Sequence, residues 1–245
     1  MNQLDMSKVK VFDFSFPITP MEKEPDYEMI AEGVCEETLV WPLIKCHSYA
    51  DDSYCQYIKM KSHVGAHIEA PWHHDAKGAT LDMFEPEQFF GRMVFMNFDL
   101  PEGCKAITRE MFEKEDNGRI REGDIVFCHC KNVVTPEGMD ARPIDLYTKL
   151  DTPVLAFECG EYLVEKGVKL LGTDHTVSMI ASVDGKQWVH DYVLEHNMPV
   201  IEMMKDLKVL SEPVSFAIAI PGLMKIKGLD SCTTQIVVLE GIEML

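Results

Sequence analysis

A chain of 245 residues, 46% hydrophobic and 26% charged, has the profile of a soluble globular protein and can bury a sizeable core. Its formal charge of −18 argues against nucleic acid as a partner, because phosphate binding needs clustered Lys and Arg, and against anionic membrane surfaces. The expected partner is a small-molecule substrate.

No Ser-, Gly- or Pro-rich stretch separates the chain into parts and no fixed-period repeat appears, so residues 1–245 read as one domain. The opening "MNQLDMSKVKVFDF" lacks the apolar core of a signal peptide, and no apolar run approaches membrane-spanning length. A cytoplasmic protein is expected. Cys35, Cys46, Cys55, Cys104, Cys128, Cys130, Cys159 and Cys232 are scattered with no CxxC pair, which fits reduced thiols there.

In chain order, "KVFDFSF", "CQYIKMKSHVG" and "RMVFMNFD" read as strands. "ITREMFEKED" follows as a helix with Thr108 as N-cap, although Met111 rather than Glu stands three residues on, so the capping box is incomplete. "DIVFCHC" reads as a strand carrying small buried cysteines rather than a metal site. After the strand "PVLAFE", "ECGEYLVEKG" reads as a helix with Tyr162, Leu163 and Cys159 on one face and Gly167 past its end. "VKLLGTD" is a strand. "GKQWVHDYVLEHN" reads as helical from about Gln187 and stops near Asn197, before Pro199. "PVIEMM", "VSFAIAI" and "TQIVVLE" complete the strands. The pattern predicts an α/β or α+β fold, a mixed sheet with a few packed helices.

The chemistry concentrates in "SHVGAHIEAPWHH", residues 62–74. Imidazole nitrogen and carboxylate oxygen suit zinc, manganese or iron. On a helix, His63 and His67 would share a face but Glu69 would point away, and Gly65 and Pro71 weaken a helix here. On a strand, His63, His67, Glu69 and His73 share one face, yet the Cα atoms of His63 and His67 would lie roughly 13 Å apart. Gly65 supplies the remedy, since a positive φ permits a bend that folds the two histidines together. Pro71 ends the pairing and can turn His73 back. A histidine-rich surface turn is the alternative. His74 has the wrong parity and reads as solvent-facing. Farther on, His190 sits in a helix and Glu202 in the strand after it; by spacing alone the pair reads as ordinary surface residues.

"HVGAHIEAPWH" resembles the H-x-G-T-H-x-D-x-P-x-H signature of the metal-dependent cyclase family, which includes bacterial kynurenine formamidase and isatin hydrolase. "FDFSFPIT", "REGDIVF", "YLVEKGVKLLGTD", "HDYVLEHNMPVIEMMKDLKVL" and "PGLMKIKGLDS" are similar, in order, to further family segments. The resemblance implies a swivelling β/β/α domain, assembled as a homodimer or homotetramer. It also implies a centre of about two divalent metals per chain, zinc or alternatively manganese. His63 and His67 would hold one ion, Glu69 would bridge, and His190 with Glu202 would hold the other. His73 matches the non-ligand catalytic histidine that assists proton transfer.

Departures accompany it. Glu69 stands where the family has Asp, Ala66 where it has Thr, "FECGEYL" lacks a Pro-Gly, and "CTTQIVVL" lacks an arginine. The implied activity is hydrolysis of an amide bond in a small aromatic substrate, as in N-formylkynurenine going to kynurenine and formate. Metal-activated hydroxide would attack the carbonyl while His73 relays the proton to the amine. Trp72, Trp41 and Phe16 are candidate stacking surfaces, with buried core roles as the alternative. The rivals are a cyclic-amide or lactone hydrolase of the same family, isatin hydrolase-like, and a non-catalytic metal-binding oligomer.

Overall fold

The computed structural model describes residues 6–18, 44–47, 54–57, 60–133, 152–183, 185–222 and 225–242. Its strands are β1 Lys10–Asp13, β2 Ile44–His47, β3 Tyr54–Tyr57, β4 His67–Glu69, β5 Phe90–Phe98, β6 Ala106–Ile107 and β7 Ile125–Cys130. They continue with β8 Val154–Leu155, β9 Leu170–Asp174, β10 Val200–Met204, β11 Val214–Ile218, β12 Ser231–Thr233 and β13 Val237–Glu240. The α-helices are α1 Arg109–Asp116, α2 Phe157–Glu165 and α3 Val189–Glu195.

Nine strands form one mixed sheet in the order β1-β13-β11-β5-β7-β9-β10-β4-β12. The run β5-β7-β9-β10 is parallel and every other pairing is antiparallel. β12 sits at one edge and β13 next to the other, yet only residues 234–236 join them. Three residues cannot span a flat nine-stranded sheet, so the sheet curls and brings its edges together. Across the closure, Phe14 N donates to Ile236 O at 2.9 Å and Lys205 N to Phe14 O at 2.9 Å.

Side-chain alternation splits the apolar residues into two cores. Met93 and Phe95 of β5, Ile125 and Phe127 of β7, Ile68 and Ile201 fill the inside of the curl. Val94, Met96 and Phe98, with Val126, Cys128 and Cys130, point outward against Phe112 of α1, Leu163 of α2 and Val193 of α3. Covered on both faces, β7 is buried at all six positions, which is why it reads as a continuous apolar run. The same alternation splits "CHC": both cysteines face the helices and His129 faces the interior. Burial pushes the Cys159 thiol up to about 12, so it stays protonated.

The predicted α/β class and mixed sheet are what is found, with local corrections. Thr108 caps α1 by accepting from Met111 N at 3.3 Å, without a capping-box glutamate. Gly167, past the end of α2, has φ +68°. "PVLAFE" yields only a two-residue strand, because Phe157 already enters α2. α3 is shorter at both ends than its periodicity suggested, with Trp188 at its N-cap and His196 at its C-cap. β12 went unrecognised: it is short, and its pairing is wholly non-local. Trp41 lies outside the described residues. No helix among the described residues is long and apolar enough to cross a membrane.

Candidate metal centre

The centre is built on the helix-covered face of β4 and β10. Ile68 points into the interior core, so its neighbours His67 and Glu69 point the other way, towards α3. β10 runs antiparallel to β4 with Glu202 opposite His67 and Val200 opposite Glu69, which puts Glu202 on the same face. α3 lies above and contributes His190 from its buried side. His67, Glu69, His190 and Glu202 are all buried.

Glu69 is the hub. Its Oε1 lies 3.0 Å from His67 Nε2 and 3.2 Å from His63 Nε2, and its Oε2 lies 2.6 Å from His190 Nε2. One carboxylate thus faces both groups of ligand-type residues, one oxygen to each. Glu202 completes the cluster, with Oε2 4.0 Å from His67 Nε2 and Oε1 3.9 Å from His190 Nε2. The bend at Gly65 is present, with φ +65°, and brings the His63 and His67 rings to 5.2 Å. Pro71–His73 forms a 3-10 turn that swings His73 back until its Nδ1 lies 3.2 Å from His63 Nε2. All six residues singled out from the sequence therefore converge.

The electrostatics favour a cation. Burial raises the carboxyl of Glu69, but His190, His63 and His67 outweigh it and hold the group well below the usual range. Glu202 goes the opposite way, raised by burial and by the charge of Glu69. Burial pulls His190 down, yet Asp191, Glu69 and Glu202 carry it up to about 10. Two buried carboxylates therefore compete for the positive charge of a few histidines. Among the described residues, buried Glu202 Oε1 has no hydrogen-bond partner, and a donorless buried oxygen costs about 1–3 kcal/mol. A divalent ion among these nitrogen and oxygen donors would satisfy it.

Three residues escaped the sequence reading. Asp230 Oδ2 accepts from His73 Nδ1 at 3.1 Å and lies 3.6 Å from His63 Nε2, and Ser62 Oγ donates to Asp230 Oδ1 at 3.3 Å. Asp230 belongs to "PGLMKIKGLDS", a segment already matched to the family, but only the pairing of β12 with β4 carries it here. Asp191 accepts from His190 Nδ1. His74 is exposed, as expected, and its ring also packs edge-on against the His190 ring at 4.8 Å. Trp72, next to His73, is 44% exposed and not a core residue. Phe16 lines a surface hollow with Asp13, Lys205 and Thr234.

A second His–Asp cluster lies at the interior ends of β7 and β9. There His129 Nδ1 donates to Asp174 Oδ2 at 2.6 Å, and Asp174 also accepts from Thr176 N and Leu207 N. Asp206 is occupied by Lys208. Its carboxylates already have donors, whereas buried His129 Nε2 has no hydrogen-bond partner among the described residues.

An α/β fold that buries such a donor set defines a class, proteins built around a divalent-metal centre. Within that class the chain belongs to the Cyclase family, whose model ("Putative cyclase") matches residues 12–178. No curated protein matches the sequence. Among solved structures, a potential metal-dependent hydrolase with cyclase activity is 21% identical at a TM-score of 0.62, covering 94% of this chain and 98% of that one. Isatin hydrolase A from Labrenzia aggregata, bound to benzyl benzoate, is 18% identical at a TM-score of 0.64, covering 95% and 94%. An isatin hydrolase bound to the product analogue thioisatinate is 14% identical at a TM-score of 0.67, covering 95% and 92%. At these identities the likeness is one of fold.

Proposed function

We propose that the protein is a metal-dependent hydrolase of a C–N amide bond in a small aromatic substrate, acting as kynurenine formamidase does on an aryl formamide. The observation that carries this reading is Glu69, with Oε1 turned to His63 and His67 and Oε2 to His190. His63, His67 and Glu69 would hold one divalent ion, and Glu69, His190 and Glu202 a second. Zinc suits three imidazoles and two carboxylates best, with manganese next. When bound, the metals supply an activated water and offset charge on the carbonyl oxygen.

The chain's own residues do the rest. His73 donates its Nδ1 proton to Asp230, which turns Nε2 towards the centre, 4.0 Å from Glu69 Oε2. An amine leaves poorly unless protonated, and this half-buried imidazole can take a proton near the water and deliver it to the departing nitrogen. Trp72, on the same turn, offers an exposed face to an aromatic ring. The assembly is a homodimer or homotetramer, as the family resemblance implies.

Opening of a cyclic amide is the second reading, favoured by the likeness to isatin hydrolases over more than nine-tenths of both chains. Initial rates on an aryl formamide and on isatin, with metal content measured in parallel, separate the two. A purely metal-binding role has no use for the His73–Asp230 pair. No turnover of any formamide, lactam or lactone above the metal-free control would sink both hydrolase readings.

A further inference from the structure

An imidazole that ligates through Nε2 must carry its other proton on Nδ1, so something has to hold that proton in place. Each histidine assigned to the metals above has such a holder. His63 Nδ1 lies 2.9 Å from Ser62 Oγ, and His67 Nδ1 donates to Gly65 O at 2.8 Å. His190 Nδ1 donates to Asp191 Oδ1 at 2.9 Å. Among these three, Asp191 is the one carboxylate, and it is only partly buried.

Neighbouring side chains on a helix diverge by about 100°, so a bond from His190 to Asp191 is not a default of helical geometry. A second group braces the acid: His74 Nδ1 lies 3.5 Å from the same Oδ1, and its ring packs at 83° to His190. His74 lies one position beyond His73 in the sequence, and Asp191 one beyond His190. We infer that Asp191, braced by His74, is a positioning residue that fixes the orientation and Nδ1 proton of His190 so that Nε2 faces a divalent ion shared with Glu69 and Glu202. The inference rests on the two-metal reading. Its rival is a structural one, in which Asp191 merely complements the dipole at the first turn of α3.

Zinc titration of the full chain by calorimetry against a competing chelator tests it, using D191A, D191N and H74A. D191A should weaken one of the two zinc sites about 10–100-fold and leave the other unchanged. D191N keeps an acceptor oxygen without the charge and should lose less; H74A should shift the same site in the same direction by less again. Proton–nitrogen spectra of the metal-free protein give an independent readout. His190 should show a hydrogen-bonded, slowly exchanging Nδ1 proton, retained in D191N and lost in D191A. A helix-dipole role would lower thermal stability without moving either measurement. Unchanged zinc affinities, both sites weakened alike, or an Nδ1 proton still protected in D191A would each overturn the inference. Zinc failing to bind the unaltered protein would sink the metal reading, and the metal-free spectra would still judge the hold of Asp191 on His190.

Discussion

Glu69 carries an extra methylene at the position most sensitive to length, and the structure accommodates it. Its two oxygens already reach histidines on both sides, at 3.0 Å and 2.6 Å. Glu69→Asp would retract the carboxylate by about one C–C bond, more than the roughly 0.2 Å that a metal bond tolerates. The expected outcome is weaker binding of at least one ion and slower hydrolysis, although the variant looks more like its family. Side-by-side metal titration and rates check this; tighter binding and faster turnover would mean that Glu69 marks a decayed bridge. His73→Ala should keep most of the metal and lose about 10²–10⁴-fold in kcat, the usual worth of a positioned acid–base group. Because His73 Nδ1 lies 3.2 Å from His63 Nε2, the opposite outcome is concrete. A metal-free His73→Ala protein would make His73 a ligand.

Between the residues and the fold, short elements set the angles at which ligands meet. Gly65 turns the chain between His63 and His67 at φ +65°, where an L side chain costs about 1–2 kcal/mol. A Cβ there would meet Ile18 Cγ1 at 3.4 Å, an ordinary contact, so the cost is conformational rather than steric. Gly65→Ala should therefore lose about 1–2 kcal/mol in chemical denaturation and bind metal more weakly, because relaxing the bend moves His63 away from His67. Full stability with full metal affinity would show that the bend does not assemble the site. A matching irregularity lies across the centre: the β9–β10 register shifts between Ile201 and Met204, and Met203, directly after Glu202, has φ 60°. A non-glycine residue in that region beside a buried carboxylate fits strain held at a functional position.

Over the whole molecule, the proposed ligands come from three separated stretches, residues 63–69, α3 and β10, so metal occupancy and folding would be linked. A ligand that binds only the folded chain stabilises it by about 4.1 kcal/mol when present at a thousand times its Kd. Removing divalent metal with a chelator should lower the Tm, and adding zinc should restore it at about two ions per chain. Scanning calorimetry with metal analysis checks both numbers. A Tm indifferent to chelator and zinc would mean that the buried carboxylates are balanced by the histidines alone.

Much was settled by local order. Parity and the single glycine of "SHVGAHIEAPWHH" pointed to the bend and to a shared face, with a surface turn as the alternative, because strand alternation and positive φ are properties of a few consecutive residues. Thr108 as N-cap, Gly167 past α2 and "DIVFCHC" as a strand carrying buried cysteines were legible for the same reason. The meeting of His190 and Glu202 with that segment was not a matter of spacing; it came from family resemblance, and only the β4–β10 register and the packing of α3 bring it about. Asp230 and Asp191 could not be read at all, since a partly exposed acid looks the same in sequence whether it faces water or braces a histidine. Which it does is decided when the curled sheet sets β12 beside β4 and packs α3 against β10 with His190 on Glu69, contacts that include residue pairs more than a hundred positions apart.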